Sequence, residues 1–408
     1  MTAELLAVLL RRMGCDTLVT SVRDFDRTIK QWGAHVAIVN TPGKSLAVKE
    51  KFPNVKVVWL DGEGFLPDEF SHAKTMSNDK SLFRASDLIL LWGDFVKRQL
   101  MEAMQGENVE KIKVTGNPTY DLIRFAESDS KADTNSVGVV MRFGTINNHL
   151  GIPPTRTLPN PDNLGRVIVE CQSFVGIIRG IQAVLENTDC NVSLRPHPLE
   201  QLESYKLYKH YWFKKEHLHR ITLDETLSFS HWAREQRAIL SPTSTSLLEA
   251  YLLEIPVINI DRLSGTAEFA KNYAELTDTW QKNCYQPADA NELASMLGEE
   301  LPKVQPSESL DSQLATYCNF DGKGVPASYL CAKHISDLAF QTAKGSKRFR
   351  LPTVVVDAID RLSFHRAMKK NPLHHNLSYR RGYHQLPKDI GSIAQNVWSA
   401  ATLGRESY

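Results

Sequence analysis

The chain has 408 residues, which is enough for two domains that each bury a hydrophobic core. Hydrophobic residues make up 42%, charged residues 23%, and the net charge is +1, so the composition is that of a globular protein and gives no chain-wide case for nucleic-acid binding. The six cysteines lack CxxC spacing, and no apolar run reaches the ~18 residues of a membrane span. With no visible signal peptide, we expect a cytoplasmic protein with reduced thiols.

The first part of the chain alternates between strand and helix patterns. Helices are predicted at 3–13, 23–33, 43–51 and 93–105, and strands at 17–22, 35–39, 55–60, 86–92 and 112–114. This βαβ series predicts a mostly parallel sheet with helices on both faces. The series opens on a helix, which leaves open whether a further strand precedes it.

A polar stretch at 121–136 predicts an interdomain linker, and a second α/β series follows it. Its predicted strands are 137–142, 191–195, 237–240 and 257–260, and its predicted helices are 164–185, 286–301 and 328–343. We therefore expect an N-terminal domain over 1–130, a second domain over 137–345 and a basic helical segment over 346–408. In an α/β pair of this kind, ligands bind at loops that follow the carboxyl ends of strands.

The C-terminal segment carries an uneven charge. Between residues 344 and 384 there are ten Lys and Arg residues against two Asp residues, with aromatic and leucine side chains between them. Two interpretations stay open. The segment either lies near anionic lipid at the inner face of the cytoplasmic membrane, or forms the solvated face of helices that pack back on the body.

Three polar loops follow predicted strands. In the first, Asp61 and Glu63 alternate with glycines directly after the strand at 55–60. A carboxylate at this position is a candidate general base, because burial raises its pKa toward the working pH. The alternative is a solvated turn.

The second loop is Arg195-Pro196-His197-Pro198, where the two prolines fix the backbone around the histidine. A histidine held beside an arginine suits a phosphate or another leaving group that needs positive charge. The alternative is a structural histidine.

The third loop contains hydroxyls from Ser241 to Ser246 and precedes an apolar helix that contains Glu249. Hydroxyls and free N–H groups at a helix N-terminus favour an anion. The alternative is that Ser244 or Thr245 only caps the helix.

Together the three loops resemble the motifs of bacterial GT-B glycosyltransferases that use CMP-activated ulosonic acids, namely the sialyltransferases and β-Kdo transferases. The matching stretches are 62–64, 197–198 and 244–246, and residues 249–257 resemble the capsule Kdo transferases. Residues 114–121 resemble the end of the first domain in many GT-B proteins. The resemblance implies a GT-B α/β fold, with two Rossmann-like domains facing a cleft and C-terminal helices packing back on the first domain.

The resemblance also implies roles for individual residues. Glu63 becomes the catalytic base, with Asp61 adjacent, and His197 assists the leaving group. The implied nucleotide-binding residues are Arg195, His197, Ser244, Thr245, Ser246 and Glu249, and the implied donor-sugar residues are Arg142 and Asn147. Two departures are visible: Gly62 stands where the first acid is expected, and residues 140–144 contain no nucleophilic acid, which favours direct inversion.

The expected partners are a CMP-sugar donor and a surface-glycan or lipid-linked glycan acceptor, without nucleic acid. No cofactor or metal is expected, because no predicted strand ends in the DxD pattern that binds divalent cations. Three alternatives stay open: a nucleotide-sugar 2-epimerase, a CDP-polyol phosphotransferase, and a non-catalytic scaffold for glycan assembly.

Overall fold

The computed structural model describes residues 2–20, 24–62, 72–125, 135–149, 151–156, 161–224, 229–264, 284–299, 301, 308–320, 324–343 and 390–403. The chain forms two compact units. Of the described residues, unit 1 contains 2–20, 24–62, 72–125, 311–320, 324–343 and 390–403, and unit 2 contains 135–149, 151–156, 161–224, 229–264, 284–299, 301 and 308–310. The basic stretch at 344–384 and Glu63 lie outside the described residues, so the predictions made for them stay predictions.

Unit 1 is an α/β unit with one four-stranded sheet. Its strands are β1 (Val36–Val39), β2 (Lys56–Leu60), β3 (Leu88–Leu91) and β4 (Ile112–Val114), all parallel and in that spatial order. Its first seven helices are α1 (Thr2–Arg12), α2 (Phe25–Trp32), α3 (Pro42–Lys51), α4 (His72–Asn78), α5 (Lys80–Arg84), α6 (Asp94–Ala103) and α7 (Pro118–Phe125). β3 is buried at every position, as a parallel strand covered on both faces should be.

Unit 2 has a five-stranded parallel sheet in the order β7-β6-β5-β8-β9. The strands are β5 (Ser136–Val140), β6 (Asn191–Arg195), β7 (Ile221–Leu223), β8 (Ala238–Ser241) and β9 (Val257–Asn259). The helices are α8 (Pro161–Asn187), α9 (Leu202–Trp212), α10 (Phe229–Arg234), α11 (Thr245–Leu252), α12 (Asp261–Ser264) and α13 (Ala290–Gly298).

Helix α8 is long and apolar, and Leu164–Asn187 has the length and composition of a membrane span. Its C-terminal half nevertheless supplies Ile177, Ile181 and Val184 to the core cluster of unit 2, where the helix packs on α12 and α13. In this half, α8 is a core helix of the α/β unit.

Three further helices complete the described chain: α14 (Glu308–Cys318), α15 (Ala327–Ala343) and α16 (Ile390–Leu403). α15 packs on α1 and α7, and α16 packs on α1, α7 and α15. A hydrogen bond from the backbone N–H of Ser328 to the buried Asp121 carboxylate, at 2.6 Å, ties α15 to α7. The prediction of two Rossmann-like α/β domains, with a C-terminal helix packed on the first, is confirmed.

Two sequence predictions need correction. The second domain was expected to extend to residue 345, but α15 belongs to unit 1 because its apolar face joins the cluster built by α1 and α16. The strand expected at 17–22 has no regular structure at 17–20, and residues 21–23 lie outside the described chain. The hydroxyl of Thr17 donates to the carbonyl of Ala7, and the hydroxyls of Thr20 and Thr28 lie 3.1 Å apart. Both ends of the 17–20 stretch are thereby attached to helices instead of a sheet.

Candidate functional site

The order of the strands in unit 2 locates its ligand-binding edge. From β5 the chain first adds β6 and β7 on one side, and later adds β8 and β9 on the other. The loops after β5 and β8 therefore flank a topological switch point, where parallel α/β sheets bind ligands. A hydrogen bond of 3.0 Å from the guanidinium of Arg142, after β5, to the carbonyl of Thr243, after β8, spans this point.

The hydroxyl loop after β8 is held by a buried carboxylate that sequence reasoning missed. Asp261, at the start of α12, accepts from the backbone N–H of Thr243 at 2.9 Å and from its hydroxyl at 2.5 Å. Asn259 donates to both the Thr243 hydroxyl and the Asp261 carboxylate, each at 3.0 Å. This network fixes the backbone of the loop that leads into α11.

Ser244 stands at the N-cap position of α11, yet its side chain makes no cap hydrogen bond. Its hydroxyl oxygen instead lies 3.0 Å from that of Ser241. Thr245 and Ser246 occupy the first helical turn, where Thr245 is exposed. The simple capping interpretation of Ser244 therefore fails, and the start of the helix keeps its preference for an anion.

His197 lies in a rigid frame after β6. Its backbone N–H donates to the Glu200 carboxylate at 2.9 Å, and its Nδ1 accepts from the backbone N–H of Leu199 at 3.1 Å. Burial lowers the pKa of His197, and the positive charges of Arg142 and Arg166 lower it further. The ring is therefore neutral at pH 7, and with Nδ1 accepting, Nε2 carries the proton that a ligand can accept.

Arg195 does not serve as the free cation that the sequence suggested. Its guanidinium is ion-paired with the buried Asp224 and lies 5.4 Å from the centre of the Trp232 ring. The positive charge near His197 comes from Arg142 and Arg166 instead. The assignment of Arg195 to the nucleotide stays a prediction, but its charge is compensated within the fold.

Glu249 is half-buried one turn into α11 and faces this same ion pair. Burial raises the pKa of Glu249 to about 7, and the charge of Arg195 limits the rise. Its carboxyl group therefore changes protonation near neutral pH, and the assignment of Glu249 to the nucleotide stays a prediction.

Asn147 is placed in the loop after β5 by contacts inside unit 2. Its side-chain amide donates to the carbonyl of Gln201 at 3.1 Å. The same loop is anchored by the buried Glu170 of α8, which accepts from the backbone N–H of Thr145 at 2.8 Å and of Ile146 at 3.1 Å. Asn147 therefore connects the loops after β5 and β6, and its predicted contact with the donor sugar is untested.

Glu200 connects these two loops more directly. Its carboxylate accepts from the backbone N–H of Phe143 at 3.0 Å as well as from His197, and the Tyr205 hydroxyl donates to it. Burial raises the pKa of Glu200 to about 7. The position of Glu200, three residues after His197, was the one feature of the sequence that could have indicated that it holds these loops.

Unit 1 carries the other predicted acids. Asp61 is buried after β2, where Trp92 donates its indole N–H to the Asp61 carbonyl at 2.8 Å. The Asp61 carboxylate lies 3.2 Å from Nε2 of His72, and the His72 ring meets the edge of Trp59 at a centroid distance of 4.8 Å. The spacing of Asp61 and His72 in the sequence gave no indication that these two side chains form a pair.

Over the part of the chain that the structure describes, no three His, Cys, Asp or Glu side chains cluster as a metal site. The expectation of metal-independent and cofactor-independent chemistry stays a prediction. The fold therefore consists of two Rossmann-like α/β units. In the second unit, Arg142, His197 and the start of α11 surround the switch point of the sheet.

No protein-family model matches the chain, and no curated protein matches it. Similar solved structures include UDP-GlcNAc 2-epimerase from Methanocaldococcus jannaschii in complex with UDP-GlcNAc and UDP, at 13% identity and a TM-score of 0.46, covering 83% of this chain and 82% of that one. They include S. aureus MnaA with UDP, at 12% identity and a TM-score of 0.42, covering 86% of this chain and 82% of that one. They also include the wall teichoic acid polymerase TagF with CDPG, at 10% identity and a TM-score of 0.40, covering 76% of this chain and 87% of that one. These identities and TM-scores assign no family.

Proposed function

We propose that the protein is a nucleotide-sugar-dependent glycosyltransferase that moves an ulosonic acid of the sialic acid or Kdo type from a CMP donor to a surface-glycan acceptor. The observation that carries the proposal is the convergence of Arg142, the neutral His197 and the start of α11 on one switch point. The guanidinium of Arg142 together with several neutral donors matches a phosphate.

The proposed reaction is a single displacement. The acceptor hydroxyl oxygen forms a bond to the anomeric carbon, the bond from that carbon to the phosphate oxygen breaks, and CMP leaves with the electron pair. The acceptor proton passes to a carboxylate, for which Glu63 is the candidate from the motif resemblance and Asp61 is its described neighbour. Charge that develops on the phosphate is stabilised by Arg142 and by the N–H groups at the start of α11.

Binding of nucleotides to the Arg142 site is the direct test. Thermal-shift and titration measurements with CMP, CDP, UDP and GDP should rank CMP first. Arg142→Ala should weaken CMP binding about 10- to 100-fold, the loss of a hydrogen bond to a charged group. Arg179→Ala removes an exposed arginine of the same unit that lacks the contacts of the site, and should leave affinity unchanged. Equal weakening by both variants, or tighter UDP binding, contradicts the proposal.

Measurement of turnover tests whether Glu63 is the catalytic base. Incubation with CMP-ulosonic acids and a glycan acceptor should release CMP in the presence of EDTA, and Glu63→Gln should cut this release about 10²- to 10⁴-fold while leaving CMP affinity intact. CMP release that requires a divalent cation contradicts the metal-independent mechanism, and undiminished turnover by Glu63→Gln contradicts the assigned base.

Peripheral contact with an anionic membrane is part of the same proposal. The segment at 344–384 motivates it from sequence, and α9 supports it with the exposed side chains of Leu207, Tyr208 and Tyr211 beside Lys206 and Lys209. Apolar and aromatic groups next to lysines suit the interface of a negatively charged bilayer. The double variant Leu207→Ser with Tyr211→Ser should lose flotation with anionic liposomes. Flotation equal to that of the parent protein contradicts a role for α9.

A further inference from the structure

A cavity of about 850 Å³ in unit 1 follows the whole length of β1. Two consecutive stretches, residues 14–20 and 34–40, are among the residues that line it. Seven consecutive lining residues give the cavity the shape of a slot beside an extended chain. We refer to it as the β1 slot.

The backbone of β1 offers hydrogen-bonding groups to this slot. Within the described residues, β1 pairs with β2 alone and forms the edge of the sheet. The N–H of Lys56 donates to the carbonyl of His35 at 2.9 Å, and Val36 is the register partner of Lys56. In a parallel ladder this geometry turns the N–H and C=O groups of Val36 and Ile38 away from β2 and toward the slot.

Most of the residues that line the slot are apolar. Leu6 and Leu10 of α1 and Ile335 of α15 line it and belong to the cluster against which Val36 and Ile38 pack. Ile29 and Trp32 of α2 also line it, next to the cluster that contains Ala37 and Val39. The two helical layers that cover the sheet therefore continue past its last strand and enclose space at the level of the sheet.

We propose that the β1 slot binds one further β-strand, an apolar extended segment of about five residues supplied by a partner polypeptide. At a rise of ~3.3 Å per residue, a strand spacing of ~4.8 Å and a layer spacing of ~10 Å, five residues of strand occupy roughly 800 Å³, which is the size of the slot. Because most of the lining residues are apolar, the segment carries Val, Ile or Leu side chains on both faces, as parallel strands between two helical layers do.

A polypeptide fits the slot better than an alkyl chain of the same volume. An alkyl chain would bury the slot-facing N–H and C=O groups of Val36 and Ile38 without partners, which is costly for backbone polar groups. A strand satisfies them with ladder hydrogen bonds and fills the apolar walls as well. Asn40, Asp61 and Asn117 line the slot after the carboxyl ends of β1, β2 and β4, and Asp16, Asp26 and His35 line it elsewhere.

The test uses a fluorescein-labelled peptide with five central valine and isoleucine residues between terminal lysines, added to the full chain. The expected result is saturable binding, with amide exchange slowed at least tenfold at Val36 and Ile38 and unchanged at Ala37 and Val39. A control peptide N-methylated at its five central residues keeps the apolar side chains but loses the donors, and should bind at least tenfold more weakly, about 1.4 kcal/mol.

Two variants test the location. Ala339→Trp places a large side chain in the slot from α15 and should abolish binding. Asp337→Trp adds the same side chain at an exposed position of the same helix and should not affect it. The proposal is overturned if the peptide does not bind the parent protein, if the N-methylated peptide binds equally well, if oleate binds and excludes the peptide, or if both tryptophan variants bind alike.

Discussion

Replacement of Glu200 by glutamine should change how the stability of unit 2 depends on pH. The Glu200 carboxylate is buried and accepts from the backbone N–H groups of Phe143 and His197 and from the Tyr205 hydroxyl. Burial raises its pKa from 4.5 to about 7. Glutamine keeps the shape and one accepting oxygen but does not ionise.

The direction of this pH dependence follows from proton binding to Glu200. Between pH 4.5 and 7 the folded protein holds a proton on Glu200 that the unfolded chain has released, so the free energy of unfolding falls as pH rises through this window. A shift of this size corresponds to about 3 kcal/mol, since one pKa unit is worth ~1.4 kcal/mol. Glu200→Gln removes this contribution, so its stability relative to the parent should rise by about 3 kcal/mol between pH 5 and 8.

The assay is urea unfolding at four pH values between 5 and 8, with hydrogen exchange of peptides over 136–149 and 191–201 to assign the transition to unit 2. Glu203→Gln is the matched control, because Glu203 lies three residues further on and forms an exposed ion pair with Lys206. Its stability should follow that of the parent at every pH. A constant difference between Glu200→Gln and the parent from pH 5 to 8 would refute the argument.

Three further predictions concern the site and the unit 1 core. Ser244→Ala combined with Ser246→Ala should weaken CMP binding by about 1–3 kcal/mol in titration calorimetry with an unchanged melting temperature, and unchanged affinity contradicts the anion assignment. The CMP affinities of His197→Gln and the parent should change in parallel from pH 7.5 to 9, because burial lowers the pKa of His197 below its usual 6.5 and leaves the ring neutral in this range; a steeper loss in the parent indicates a cationic ring. Asp121→Ala should lower the free energy of unfolding of unit 1 by about 2–4 kcal/mol in urea, because the Ser328 N–H and hydroxyl both lose their acceptor, and a loss below 1 kcal/mol would contradict this.

The α/β architecture could be predicted from sequence because each buried strand is a short β-branched or leucine-rich run. β5 and β8 are buried at every position and show this pattern clearly. The stretch at 17–20 has the same composition, but its threonine hydroxyls bond to helices. Hydrogen bonds from threonine side chains compete with the backbone hydrogen bonds of a β-sheet. Composition alone does not reveal which of the two kinds forms.

The loops of the site were predictable, but the charges within them were not. Arg195 and His197 both looked like cations in the sequence, since nothing near them is acidic except Glu200. The partner of Arg195 is Asp224, 29 residues away. The pKa of His197 is lowered by burial first, and then by positive charges from the loop after β5 and from α8. Such partners come together only when strands β5, β6 and β7 align, so motif spacing does not reveal the ionisation states.

The carboxylates of unit 2 explain how an irregular surface can present a fixed anion site. Glu170, Glu200 and Asp261 are all buried, and each accepts backbone N–H groups from a loop at the switch point. Each loop thereby satisfies part of its backbone from beneath, while the guanidinium of Arg142 remains on the exposed side. The three carboxyl groups are buried, whereas the positive charge of Arg142 is exposed. A phosphate that approaches from solvent therefore meets donors before it meets any of these three carboxylates, and the loops need little rearrangement to bind it.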